Sequence, residues 1–308
     1  MKSILTAAAF SLACLAMASC GRPTTTPPEP ETLTLHASIE QPAQIAASAT
    51  LFGRTDDNTR TVIEQETIPH PILWQANDDI VVRFDTDPIS VSRYFHLESG
   101  AGTGNAVFAY SGFGVSYDQS VEVPEELPSS YASIISGYPG MFTTIRSDNS
   151  EIILEAPREI FQGLENIADF PMHGIAGADG NIVFHCPFGI IHFPVTGNVA
   201  IASITIDTSE QAKEVSGRFL IDQDNHTTAF HEASVGSQFS ISWAGKSALQ
   251  LTSDPVSFYA VLPAGTYAVG TTFQFKQTNG TVIEKKTLEE FTVNRAQILN
   301  LPTVYVAQ

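Results

Sequence analysis

The side chains best suited to metal chemistry in this sequence are His185, Cys186 and His192. Imidazole and thiolate groups are zinc ligands, and a zinc site needs three or four of them to converge on one point. Successive side chains of a strand point to opposite faces, so His185 and Cys186 diverge if this segment is a strand. The pattern therefore favours ordinary sheet positions, and we predict no metal site.

A second candidate for ion binding is the oxygen-rich run at Asp222, Asp224 and Asn225. It resembles the start of a calcium-binding loop, which also needs a glycine at its sixth position and a glutamate at its twelfth. Thr227 and Ala233 occupy those two positions. The run is therefore interpreted as a polar hairpin turn, and no cofactor is expected.

Catalytic motifs are absent from the sequence in their usual forms. It contains neither the G-x-S-x-G segment of a nucleophile elbow nor the H-E-x-x-H segment of a zinc protease. Gly245-Lys246-Ser247 resembles the end of a phosphate-binding loop, but Ser240 replaces the earlier glycine. Gly100–Gly104 is glycine-rich without a βαβ unit around it, which favours a hairpin loop. We predict no catalytic residue and no enzyme activity; paired carboxylates of a lipid-anchored hydrolase, which converge only in three dimensions, are the alternative.

The N-terminus has the layout of an export signal. A positive start at Met1-Lys2 precedes an apolar stretch from Ile4 to Met17 that is too short for a stable membrane span. Leu15-Ala16-Met17-Ala18-Ser19-Cys20 resembles a bacterial lipobox, in which the thiol is acylated and becomes the new N-terminus. We predict a signal over residues 1–19, lipidation at Cys20, and a surface-exposed protein anchored by lipid to the outer membrane. An ordinary signal with a chance cysteine is the alternative.

Composition excludes several other classes of protein. The 308 residues include 33 acidic and only 15 basic side chains, a net charge of −18. Such a charge disfavours binding to nucleic acid or to anionic lipid. Cys14 leaves with the predicted signal and Cys20 carries the predicted lipid, so only Cys186 remains as a free thiol and no disulfide within the chain can form. Packing alone must hold the fold.

Beyond a Thr- and Pro-rich tether at residues 20–31, short alternating apolar runs dominate and helical periodicity is rare. Asn279-Gly280 between two such runs predicts a hairpin. We expect an all-β fold of two β-sandwich domains in tandem, residues 32–176 and 177–308, with a boundary at the turn-forming residues Met172–Gly174 and Gly177–Gly180. The predicted strands are 33–39, 80–84, 152–154, 182–185, 189–195, 199–207, 217–222, 238–243, 256–262, 266–276, 281–286 and 297–306.

Several landmarks follow one another in a recognisable order behind the lipobox. They are Thr59-Arg60-Thr61, Trp74 to Val82, Ser136 to Pro139, Asp169 to Met172, Ile182 to Gly197, Ile204 to Ile206, Val215 to Asp222 and Phe258 to Pro263. In this order they resemble the fimbrillin family, the lipoprotein subunits of type V pili in Gram-negative anaerobes. The resemblance runs from Cys20 to about Val306, and it implies transthyretin-like, Greek-key β-sandwiches.

The resemblance also implies a mechanism of assembly. An arginine-specific protease cuts after the first strand, and a strand of another pilus subunit fills the resulting groove. Here Leu33–Ile39, with Ile45–Phe52 as an optional extension, corresponds to the removable strand. Arg54 and Arg60 lie in the polar loop that follows, with Arg60 favoured by its Thr59-Arg60-Thr61 context. The alternative is that both arginines are solvated loop charges and the strand stays in place.

The C-terminal region narrows the expected role. Gln297–Val306 is expected to be the last strand of the second domain, followed only by Ala307-Gln308. This favours a tip, accessory or anchor subunit that mediates adhesion to an unknown host or bacterial ligand. The alternative is a glycan-binding outer-membrane lipoprotein of a polysaccharide-uptake system. Such proteins use a platform of exposed aromatic residues, and this sequence has only two tryptophans, Trp74 and Trp243.

Overall fold

A computed structural model describes residues 34–53, 71–84, 91–110, 132–135, 144–145, 152–156, 159–161, 171–176, 181–222, 224–230, 236–242 and 248–308. Within these ranges the chain consists of β-strands and turns, with one turn of 3-10 helix at Ser209–Gln211. The predicted all-β class is confirmed. None of the described residues forms a helix long and apolar enough to cross a membrane.

The strands are numbered in chain order. The first twelve are β1 (Thr34–Ile39), β2 (Ala43–Ala46), β3 (Asp79–Phe84), β4 (Val91–Ser99), β5 (Asn105–Tyr110), β6 (Ala132–Ile135), β7 (Thr144–Ile145), β8 (Ile152–Ala156), β9 (Glu159–Phe161), β10 (Met172–Ala176), β11 (Asn181–His185) and β12 (Phe188–Gly197). The others are β13 (Ala200–Asp207), β14 (Gly217–Asp222), β15 (Thr227–Phe230), β16 (Gln238–Ser242), β17 (Leu249–Gln250), β18 (Val256–Pro263), β19 (Gly265–Tyr267), β20 (Thr272–Gln277), β21 (Val282–Lys286), β22 (Phe291–Val293), β23 (Gln297–Asn300) and β24 (Val304–Val306).

The first sheet closes on itself. Its strand order is β1-β11-β10-β6-β3-β4-β5, and β5 pairs with β1 again. Every neighbouring pair is antiparallel except β1 and β11, which run parallel. Closure leaves no strand of this sheet as a free edge, which removes a common route to aggregation.

Four further groups of strands complete the described fold. One sheet has the order β18-β12-β23-β2, with β24 also paired to β12. Another has the order β21-β20-β13-β16-β9, with β17 paired to β13. The smaller groups are β15-β14-β8-β7 and the pair β19-β22. The predicted Asn279-Gly280 hairpin is confirmed, because it joins β20 to its antiparallel neighbour β21.

Two apolar clusters form the interior, and we call them the first core and the second core. The first core contains Leu35, Trp74 and Phe184, whereas the second contains Phe193 and Phe273. Strand β12 contributes side chains to both cores. Ile190 packs in the first core and Ile191 in the second, and both side chains are fully buried. Burial on both faces explains why this strand reads as an almost continuous apolar run instead of an alternating one.

Two glycines serve close packing, and at one of them the sequence interpretation was wrong. Met172–Gly174 was expected to be a turn, but these residues lie in β10. Gly174 serves close packing there, because a Cβ atom would lie 2.5 Å from Ile182 Cγ2. Gly197 also serves close packing, since a Cβ there would collide with the carbonyl oxygen of Val306. Residues 177–180 lie outside the described ranges, and the boundary at 176/177 stays a prediction.

Candidate functional site: the first strand and its surroundings

Strand β1 is hydrogen-bonded along both of its edges. It pairs antiparallel with β5, where Leu35 faces Phe108, and parallel with β11, where Ala37 faces Ile182. Its alternating sequence puts Leu35, Ala37 and Ile39 into the first core, with exposed fractions between 0% and 7%. The strand therefore supplies both ladder hydrogen bonds and core side chains to the closed sheet.

The outward face of β1 is the floor of a surface cavity of about 510 Å³. His36 and Ser38 of β1 lie between Asn105 of β5 and the β11 residues Asn181 and Val183. Val183 is 42% exposed, which is unusual for a branched apolar side chain in the middle of a sheet. The cavity thus combines a small apolar patch with amide and hydroxyl groups.

After β1 the chain passes from one core to the other, and residues 34–53 are called the N-terminal segment below. Strand β2 pairs parallel with β23, where Ile45 faces Leu299. Further on, Leu51 is fully buried in the second core, and Phe52 packs edge-on against Phe273 with ring centroids 5.2 Å apart. One continuous segment therefore contributes a strand to each of two sheets and side chains to both cores.

The residue that follows β1, Glu40, fixes the end of that strand. Arg295, between β22 and β23, donates from Nη2 to Glu40 Oε2 over 2.5 Å, and the backbone N–H of Cys186 donates to the same oxygen over 3.4 Å. His185 Nδ1 lies 3.2 Å from this oxygen. Burial alone would raise the pKa of Glu40, but the hydrogen bonds and charges of Arg295 and His185 lower it overall. Glu40 therefore stays ionised and ties three separate segments together.

Beside Glu40 lies a group of imidazoles that we call the histidine cluster: His173 of β10, His185 of β11 and His226 of the β14–β15 turn. The rings of His185 and His226 stack at 3.7 Å with an interplanar angle of 9°. His173 lies 5.2 Å from His226 and 6.0 Å from His185 between ring centroids. Sequence reasoning missed this cluster because its members come from three distant segments, and only the strand pairing of β10 with β11 could have suggested two of them.

The residues predicted as a weak zinc candidate are not brought together. His192 Nδ1 lies 2.8 Å from Asn300 Oδ1, and its ring stacks on Tyr259 at 4.7 Å. Cys186 is fully buried, and burial raises the pKa of its thiol well above the ordinary value. In the part of the chain that the structure describes, no three acidic, histidine or cysteine side chains have the spacing to hold a metal ion. Face-to-face stacking also turns the ring-plane lone pairs of the histidine cluster away from a common point.

The oxygen-rich run at Asp222 is a turn, as predicted. The Asp222 carboxylate accepts hydrogen bonds from the backbone N–H groups of Asp224 and Asn225 over 3.0 and 3.1 Å. It closes the antiparallel hairpin of β14 and β15. Gly100–Gly104 likewise joins the paired strands β4 and β5 as a hairpin loop.

Trp74 packs inside the molecule. It is 1% exposed and meets Phe108 and Phe184 edge-on, with ring centroids 4.9 and 5.5 Å away. A buried indole cannot serve on an exposed aromatic platform for glycans. Trp243, the lipidation candidate Cys20, the processing candidates Arg54 and Arg60, and the turn Gly245–Ser247 lie outside the described residues.

Comparisons with known proteins give fold likenesses only. No protein-family profile matches the chain, and no curated protein sequence matches it. Among solved structures, it is similar to a candidate cell adhesion protein of Bacteroides ovatus, with 9% identity, a TM-score of 0.44, and coverage of 86% of this chain and 89% of that one. Similar proteins from Bacteroides fragilis and Bacteroides uniformis, also candidate cell adhesion proteins, have 11% and 10% identity and TM-scores of 0.40. Their alignments cover 88% and 90% of this chain and 93% of each of those. TM-scores below 0.5 assign no function to this chain.

Proposed function

We propose that this chain is a fimbrillin-like subunit of a surface pilus that acts by binding and not by catalysis. In this proposal it is anchored by lipid at Cys20 in the outer membrane, cut after Arg54 or Arg60, and joined to other subunits by strand complementation. Its output is adhesion to a host or bacterial surface. A tip, accessory or anchor position is favoured over a place in the repeating stalk.

One observation carries the proposal: the N-terminal segment completes the closed sheet and contributes to both cores, and the processing candidate Arg54 follows it directly in the sequence. A cut after Arg54 would break the covalent link between this segment and the rest of the chain. The segment is held by strand pairing to β5, β11 and β23 and by apolar packing. These are the contacts that a strand from a second subunit can reproduce without new side-chain chemistry.

Departure of the segment would leave a costly gap. Unpaired backbone groups of β5 and β11 would line a slot over the first core, and the edge of β23 would become open. Leaving buried donors and acceptors unpaired costs about 1–3 kcal/mol for each group, so the slot strongly favours a new strand. Because β1 and β2 lie in different sheets, a donor strand that replaces both must also cross from the first core to the second.

The C-terminal strands support a receiving role. Val304 and Val306 of β24 are 1% and 0% exposed, and Ile298 of β23 is fully buried. Both strands pair with β12 inside their own sheet. Strand β24 packs in the second core and β23 in both cores, with Ile298 in the first, so neither strand is available to a neighbouring subunit without unfolding.

The proposal is tested first on cells. Mass spectrometry of the protein released from the cell surface should identify a mature N-terminus at Thr55 or Thr61. Substitution of both Arg54 and Arg60 by glutamine should remove that terminus and leave the acylated Cys20 form. Lys285→Gln on β21 is the control; Arg295→Gln is unsuitable because Arg295 is largely buried and binds Glu40. A surface population that starts only at Cys20 in the unaltered protein would overturn the processing step.

Strand complementation is tested with peptides. After cleavage at Arg54 or Arg60 in solution, a labelled peptide of residues 33–53 should exchange into the protein. A matched peptide with Leu35→Asp and Ile39→Asp should not, because its charges would enter the first core. Equal binding of the two peptides, or no exchange with either, contradicts the proposed assembly.

A further inference from the structure

The histidine cluster lies where four otherwise separate elements meet. His173 and His185 belong to the paired strands β10 and β11, and His226 belongs to the β14–β15 turn. Glu40 and Arg295 bring the end of β1 and the β22–β23 connection to the same place. A change in charge at this point therefore acts on the end of β1 and on the β14–β15 hairpin together.

The surroundings favour neutral His173 and His226. His173 is fully buried, and neither of its ring nitrogens has a hydrogen-bond partner among the described residues. The groups that face the cluster are the Arg295 guanidinium, the Glu40 carboxylate, the Cys186 thiol and, from the turn itself, the Asp222 carboxylate. Glu40 is already paired with Arg295, and Asp222 is exposed on the turn. Among the described residues, a positive charge on the buried His173 therefore has no counter-ion of its own.

We propose that the histidine cluster is a proton-binding site that loosens the molecule in acid. When His173 and His226 are neutral, His226 stacks on His185 beside the tilted ring of His173 and holds the β14–β15 turn against β10 and β11, beside the end of β1. When the cluster takes up protons, repulsion between the rings and from Arg295 releases the turn and weakens the seating of β1. This device does not require proteolysis or assembly, so it stands or falls separately from the proposed function.

The direction of the effect follows from proton linkage. Burial, together with the charges of His226, His185 and Arg295, lowers the pKa of His173 to about 3 from 6.5, and burial first and then His185 lower the pKa of His226. The open state therefore binds more protons than the closed state once the pH falls below about 6.5. The contribution of these histidines to the stability of the closed state is fully present above that pH and declines as the pH falls. For His173 alone, the equilibrium constant for closing drops about 30-fold at pH 5.0.

The β14–β15 turn is the element most able to move. His226 adopts a left-handed backbone conformation with φ of +54°, which is unfavourable for a residue other than glycine, asparagine or aspartate. Its neighbours Asp224 and Asn225 are exposed. Strand β14 also carries Phe219 and Ile221 into the first core, where Phe219 meets Phe188 edge-on at 5.5 Å. Movement of the turn would therefore disturb the packing of the first core, which β1 completes.

Hydrogen exchange of the full chain, measured by mass spectrometry at pH 7.5 and 5.0 and corrected for intrinsic exchange rates, tests the proposal. Acid should reduce protection of peptides from residues 217–228 and 34–40 by about 30-fold, relative to peptides from β20 and β21 in the second core. An acid response of equal size in both regions would overturn the proposal.

Three variants show whether the histidines are responsible. His173→Phe removes the buried imidazole and should reduce the selective acid effect to a few-fold. His226→Asn keeps a residue that tolerates the left-handed turn and removes the proton site of the turn itself, so it should reduce the acid effect on residues 217–228 while the share of His173 remains. His96→Gln, at an exposed histidine of β4 paired with Asp79 of β3, is the matched control and should retain the full effect. A full acid response in His173→Phe would overturn the proposal; if that variant fails to fold, an unchanged response of residues 217–228 in His226→Asn would overturn it.

Discussion

The two cores differ at their largest polar aromatic side chains. In the second core, the buried Tyr267 donates its hydroxyl hydrogen to the carbonyl oxygen of Pro263 over 2.8 Å and stacks on Phe291 at 5.0 Å. Burial raises its pKa well above the ordinary value, so it stays neutral. In the first core, Trp74 Nε1 is buried without a hydrogen-bond partner among the described residues.

The cores also differ in how much they depend on the N-terminal segment. The first core needs β1, which supplies Leu35, Ala37 and Ile39. The second core is built mainly from residues after position 190 and takes Leu51 from the N-terminal segment, with Ala47 and Phe52 packed against it. We infer that the second core holds the subunit together while the first is the one that can open.

The largest expected effect comes from damage to the second core. Phe193→Ala should lower the free energy of unfolding by about 3–5 kcal/mol, because Phe193 is fully buried between Phe258 and Phe273. Denaturant titration should show one cooperative loss of all structure. Leu288→Ala, at a side chain that is 60% exposed, is the control and should change stability by less than about 0.5 kcal/mol. Persistence of folded structure around the second core in Phe193→Ala would contradict the inference that this core holds the subunit together.

Damage to the first strand should have a more local effect. Leu35→Ala should cost about 2–5 kcal/mol, measured as loss of hydrogen-exchange protection in β1, β5 and β11. Protection of β13 and β20 should remain near that of the unaltered protein, because Leu35 touches only the first core. Equal loss in both regions would mean that the molecule opens as one unit.

The ion pair at the end of β1 should have a smaller effect with its own pH dependence. Glu40→Gln should lower stability by roughly 1–2 kcal/mol at pH 7, since both partners are about three-quarters buried. Because the native pKa of Glu40 is lowered, its contribution is present above about pH 4.5 and is lost as the pH falls through the native value. The variant and the unaltered protein should therefore converge in stability in strong acid. A difference that stays constant with pH would assign the loss to packing.

The smallest effect is expected at Trp74. Trp74→Phe removes an indole N–H that has no partner in the described structure and keeps an aromatic ring against Phe108 and Phe184. Loss of side-chain volume should destabilise the protein, whereas removal of an unpaired donor should stabilise it. The free energy of unfolding should therefore change by less than about 1 kcal/mol. Thermal unfolding measures this change. A loss of several kcal/mol would show that the N–H is satisfied in solution.

The sequence predicts local elements of this molecule better than their partners. Alternation identified β1, an apolar run identified β12, and Asn279-Gly280 identified the hairpin of β20 and β21, because each signal lies within a few neighbouring residues. Met172–Gly174 was misassigned because the sequence does not distinguish a glycine needed for close packing from a glycine needed for a turn. The parallel pairing of β1 with β11 and the histidine cluster join residues far apart in the chain, and no local pattern encodes such contacts.

The pairing of β1 on both edges also determines how the subunit responds to force. A pull on the chain at Thr34, directed along the strand, loads the ladders with β5 and β11 in shear, so that many hydrogen bonds must break at once. A pull across the sheet would instead peel them one after another at a much lower force. In the uncut form, if it is tethered at Cys20 as proposed, load applied through the N-terminus would run along β1 in this shear geometry.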